Sequence, residues 1–162
     1  MASLEKLNVG AQSTFTSLMT TELNSLANVN SVLGSTAVDN ATNLDLFVEF
    51  SFKTGGSITP TGTPFIGLYI YPLNGDGSTY GDGRFGSAAA AQPFSNYYWG
   101  YTGLVASAGT QTGNFAIPGT GNLLIPLPRG SWKPVIYNAS GVPLSASGNI
   151  LYYRTTNLNL NG

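Results

Sequence analysis

Three places in the sequence gather residue types that do chemistry. The run Asn74-Gly75-Asp76-Gly77-Ser78-Thr79-Tyr80-Gly81-Asp82-Gly83-Arg84 sets two carboxylates among glycines. Asp76 and Asp82, with backbone carbonyls, are the hard oxygen donors a calcium ion takes. The run lacks EF-hand spacing and a bidentate Glu, and Asn-Gly and Asp-Gly pairs are ordinary turn formers. The expectation is a turn-rich loop and no metal. Asp45 and Glu49 lie four apart in an alternating stretch. On one strand face they would make a carboxylate pair of the glycosidase kind, although charged residues alternating along a strand are usually its solvated face. Tyr97, Tyr98, Trp99 and Tyr101 form an aromatic cluster, with Trp132 as a second site. Exposed, Trp99 or Trp132 would stack on a sugar or anchor a protein; buried, they are core. Alternation puts Tyr97, Trp99 and Tyr101 on one face and Tyr98 on the other, so core is expected for most of them.

What the chain lacks narrows the chemistry further. It has no histidine and no cysteine. Cys–His and Ser–His–Asp machinery is therefore excluded, as are thiolate metal sites and disulfides. No enzyme activity and no cofactor are expected. Asn40-Ala-Thr42 and Asn138-Ala-Ser140 match the glycosylation sequon, but the first residues lack the cationic head and apolar block of a secretory leader.

The elements that would position these residues are strands. Leu44–Lys53 alternates, with Leu44, Leu46, Val48, Phe50 and Phe52 on one face, the pattern of a half-buried strand. Residues 65–71 read as a strand apolar on both faces. Further runs at 97–105, 113–117, 122–127, 132–138 and 149–156 are separated by Gly and Pro turn signals. Pro126 and Pro134 place their strands at edges or bulges. The sum is an all-β chain, a β-sandwich or jelly-roll-like domain of about seven or eight strands. One short N-terminal helix is expected over 13–27, where Phe15, Met19, Leu23 and Leu26 recur at helical spacing. That stripe packs on the chain's own sheet or docks on a partner. Residues 1–13 read as an arm or a first edge strand preceding a single domain at 14–162. The 73–95 stretch is long for a connection inside a compact domain and reads as functional, with Arg84 and Phe85 as candidates for a subunit contact. The tail 157–162 extends the last strand or joins a neighbour's sheet.

Composition bears on partners. Charged residues are 8% of the chain, against roughly 25% in ordinary domains. Ser, Thr, Asn and Gly together supply 69 of the 162 residues. Short hydroxyls and amides are easier to desolvate than Lys or Glu, which suits a chain packed against other chains and equally suits a domain rich in turns. Net charge is −1, with every acid in residues 1–82 and most of the cations beyond. Four spread cations in the second half are no nucleic-acid footprint, and interleaved halves would cancel the asymmetry. No apolar run approaches the ~20 residues of a membrane span.

Four segments carry a resemblance: Ser13–Asn28, Asp45-Leu-Phe-Val-Glu-Phe50, Leu68–Arg84 and Leu151-Tyr-Tyr-Arg-Thr155. They resemble a family of small virion structural proteins of tailed bacteriophages, similar to capsid decoration, or cement, proteins. The resemblance implies a jelly-roll-like oligomer, often a trimer, made in the host cytoplasm. It would bind the major capsid protein on the head surface, with no nucleic-acid or membrane partner and no catalytic residues. The alternative is a tail-fibre or receptor-binding module contacting host glycans through Trp99 or Trp132.

Overall fold

The computed structural model describes residues 6–9, 14–41, 45–81, 97–156 and 158–161. In chain order its strands are β1 Lys6–Val9, β2 Thr16–Met19, β3 Ser31–Leu33, β4 Val38–Asp39, β5 Phe47–Lys53, β6 Phe65–Pro72, β7 Tyr98–Gly103, β8 Thr112–Asn114, β9 Ile125–Pro126, β10 Ser131–Ala139, β11 Ile150–Thr156 and β12 Leu158–Asn161. One sheet runs β3-β10-β6-β7, with β4 also on β10; the second runs β2-β11-β5-β8, with β9 also on β5.

The pairings are nested. β2 pairs with β11, β3 with β10, β5 with β8 and β6 with β7, all antiparallel and alternating between the two sheets. A single ribbon folded over itself in this way is the jelly roll. At its open end β1 and β12 continue the ribbon as a separate two-stranded sheet, Lys6 opposite Asn161 and Val9 opposite Leu158. The long stretch after residue 72 is the connection that closes the innermost hairpin, β6 to β7.

Period-two alternation builds the core. Val48, Phe50 and Phe52 of β5 turn inward against Ile66, Leu68 and Ile70 of β6, with Trp132, Ile136 and Leu151. Trp132 is fully buried, its ring edge-on to Phe50 at 5.9 Å and to Tyr153 at 6.3 Å, so it bridges the two sheets. Phe115 meets Phe50 from a further side at 6.5 Å.

Several expectations are corrected. The helix over 13–27 does not form: β2 is followed by one 3-10 turn, Thr21–Leu23. Ser and Thr, dense here, compete with helical hydrogen bonds or lose rotamer freedom in a helix. A strand and a turn bury the same apolar residues, Met19, Leu23 and Leu26, in the core. The Glu22 carboxylate braces the turn, accepting from the Thr20 amide and from the amide and hydroxyl of Ser35. Leu46 precedes β5 and is exposed. Pro134 lies in β10, at the centre of its sheet. It is tolerated because its carbonyl, which accepts from the Gly34 amide at 2.8 Å, faces the break between β3 and β4. The missing N–H therefore interrupts no ladder.

Buried amide side chains tie the turns to this frame. Asn138 donates to the Leu26 and Val142 carbonyls, each at 2.9 Å, and accepts from the Ser140 amide. Asn149 links Ser145, Asn24 and Gly55. One loop carries strain: Val29, exposed and β-branched, sits at φ +57°, where L residues pay about 1–2 kcal/mol.

Two stability changes are expected from urea unfolding. Phe50→Ala should destabilise by about 3–5 kcal/mol, the range for emptying a large aromatic site. Val29→Gly should stabilise by about 1 kcal/mol, because glycine adopts positive φ freely; a loss of stability would mean that the Val29 side chain carries packing that its exposure hides.

Candidate binding groove on an aromatic sheet face

The same alternation that fills the core places a second set of aromatics on the opposite face of the β6 sheet. Phe65, Tyr69 and Tyr71 point outward from β6, and Val135 and Tyr137 from β10, into a separate apolar cluster. Tyr98 stacks at a tilt on Tyr69 at 5.1 Å, and Tyr97 on Tyr71 at 4.6 Å. Near the β6–β7 connection the cluster is covered. Gly81, at φ +60°, lies so close to Tyr71 that any side chain there would run into the ring. The Lys133 ammonium sits 4.9 Å from the Tyr80 ring centre, a cation–π contact that closes this corner.

At the other end of the hairpin the cover stops. Thr63, Pro64, Phe65, Tyr98, Tyr101 and Gly103 line an open groove of about 370 Å³. Phe65 and Tyr101 stand nearly perpendicular, 74° apart with centroids at 6.1 Å, and form a corner. Phe65 also meets Tyr137 at 6.3 Å, which fixes its ring from behind. Tyr101 is 44% exposed. Among the described residues no lining residue is charged. Burial, with Tyr69 and Tyr101 beside it, pushes the Tyr98 phenol up to about 12, so it remains a protonated donor across the neutral range.

The sequence candidates fall differently. Trp132 is fully buried between Phe50 and Tyr153 and can stack on no sugar. Trp99 is half-buried and packs on the inner core. The expected grouping of Tyr97, Trp99 and Tyr101 is broken by a register shift between Leu68 and Tyr69, where β7 carries an extra residue. The shift sends Trp99 inward and leaves Tyr98 and Tyr101 outside. Phe65, Tyr98 and Tyr101 as one site escaped the sequence reading for that reason. Met19, Leu23 and Leu26 are core and unavailable to a partner; Phe15 alone of that stripe is exposed, under the Arg154 guanidinium at 4.6 Å. Arg84, Phe85 and Asp82 lie outside the described residues.

The Asp76 and Glu49 carboxylates are engaged structurally. Asp76 accepts from the amides of Ser78 and Thr79, each at 3.0 Å, and from the Thr79 hydroxyl at 2.5 Å. Among the described residues no three His, Cys, Asp or Glu side chains gather where they could hold a metal. The Asp45–Glu49 pair does not form on a shared strand face. Asp45 is buried before β5 begins, and Glu49 accepts from Arg154 Nε at 2.9 Å and Nη2 at 2.5 Å. That cross-strand pair joins an acid of the first half to a base of the second, as nesting requires. Both sequon asparagines are buried, and their amides donate to backbone carbonyls: Asn40 to Asp45 and Pro128, Asn138 to Leu26 and Val142. Neither amide is open to a glycan in the folded chain.

No family model, curated relative or solved structure matches this chain.

The Asp76 turn makes a pH prediction. Hydrogen bonds from the Thr79 hydroxyl, the Thr79 amide and the Ser78 amide lower its carboxyl from 3.8 to about 2. A depressed folded value means that the turn's stabilisation is present above the ordinary carboxylate range and lost as pH falls through the folded value. The Ser78 and Thr79 amide NMR shifts should therefore titrate with a midpoint near 2. A midpoint near 3.8 would show that the turn does not hold the carboxylate.

Proposed function

We propose that this chain is a structural protein of a bacteriophage particle, most simply a head decoration or cement protein. It would bind the major capsid protein and further copies of itself, with a trimer the favoured oligomer, on the outside of the assembled head. The observation that carries this reading is the surface. Only 8% of the residues are charged, and Glu22, Glu49, Asp76 and Arg154 are engaged within the chain. What remains outside is largely hydroxyl, amide and glycine, with exposed apolar residues such as Phe15, Leu46, Val105 and Leu123. Covering such a surface removes few ions from water. The resemblance of the four segments points the same way. The jelly roll is a fold that virus shells use, though a fold alone does not choose a function.

The physics of cementing is linkage. A chain that binds the assembled lattice and not its dissociated subunits stabilises the lattice by mass action, and an oligomer multiplies weak contacts by avidity. In this reading the arm at 1–13 extends the contact area. Its β1 strand pairs with β12 among the described residues, in a two-stranded ribbon of a kind that is marginal on its own in water. A shell surface would cover the ribbon and add to its stability.

Co-sedimentation with empty heads assembled without this chain checks the proposal. Saturable binding is expected, and removal of residues 1–13 should weaken it at least tenfold. Unchanged affinity would take the arm out of the contact, and no binding to heads at any concentration would sink the cement role.

A further inference from the structure

We propose that the Phe65–Tyr98–Tyr101 groove binds one neutral pyranose residue of a glycan. This goes beyond the cement role and does not depend on where in a particle the chain sits. Sugars present two surfaces at once: patches of C–H that stack on aromatic faces, and hydroxyls that need hydrogen-bond partners. The lining residues carry both. Phe65 and Tyr101 meet at 74°, so one ring can lie flat under a sugar face while the other closes its side. Tyr98, Tyr101 and Thr63 are among the lining residues, and each carries a hydroxyl that can donate and accept.

The ligand's class follows from charge and size. Among the described residues no lining side chain is a carboxylate, Lys or Arg, so an anionic sugar or a phosphate would be desolvated without a partner among them. A volume of about 370 Å³ lies at the small end of ligand pockets, which span roughly 300–1,000 Å³. It suits one sugar with part of the next. The six described lining residues match a small ligand better than an interface between copies, which uses roughly 20–30 residues per side. A proline-rich peptide fits less well, since its extended helix is read along an aromatic-lined groove and here the rings make a single corner.

Gly103 supplies a clean test. A Cβ there would meet nothing within 4 Å, and Gly103, opposite Phe65, lines the groove. Gly103→Phe should therefore fill the site without disturbing the fold, and Tyr101→Ala removes the more exposed ring. The intact chain is titrated by amide NMR with the methyl glycosides of glucose, galactose, mannose and N-acetylglucosamine, with glucuronate, and with an oligoproline. At least one neutral glycoside is expected to give saturable shifts confined to Phe65, Tyr98, Tyr101, Gly103 and their neighbours. Tyr101→Ala should weaken that binding at least tenfold and Gly103→Phe should abolish it, both variants keeping a native spectrum. Glucuronate should bind no more tightly than glucose. Absence of saturable shifts with every neutral glycoside would overturn the proposal. So would shifts that persist in both variants, or an oligoproline that saturates the groove where the sugars do not.

Discussion

Everything in this fold depends on holding two sheets together across one aromatic contact, the Trp132 ring set edge-on between Phe50 of the opposite sheet and Tyr153 of β11. The chain has no disulfide to help, and the described residues contain no α-helix to cover either sheet. Stability must come from apolar burial between the faces. Trp132, Phe50, Phe52 and Phe115 are all fully buried there. Nesting then decides which parts of the sequence meet, because the first strands must pair with the last. That single constraint explains why Glu49 reaches Arg154 and why a chain with opposite charges in its halves has little asymmetry to offer a distant partner.

Committing the inward face to this contact has a consequence on the outside of the β6 sheet. β6 alternates large residues on both faces, so its outward set, Phe65, Tyr69 and Tyr71, needs a cover of its own. Tyr80, Gly81 and Tyr97 provide it at one end. The other end stays open because β7 finishes in Gly103, opposite Phe65, and has no side chain to lay across the ring. The groove is thus a by-product of a strand apolar on both faces meeting a partner that runs out of bulk.

The strands that were legible in the sequence are those with strong period-two signals. Phe47–Lys53, Phe65–Pro72 and Ile150–Thr156 follow directly from alternation or from dense branched and aromatic residues. The region 13–27 misled for a physical reason: Phe15, Met19, Leu23 and Leu26 satisfy helical spacing, yet a short strand and a 3-10 turn bury three of the four equally well. Pro134 misled because sequence alone does not reveal that its neighbour strand is broken where the missing N–H points. The groove was hidden by the single extra residue in β7, since one bulge exchanges the faces of every aromatic on one side of it. No periodicity reading locates such a bulge without the partner strand.

A charge-poor surface, engaged carboxylates and a ribbon of paired ends all suit a chain that works while covered by others. Electron cryomicroscopy of the native particle tests that role most directly. The cement role predicts jelly-roll density repeating over the icosahedral head, with the β1–β12 ribbon against the shell. Density confined to the tail or its fibres would contradict it.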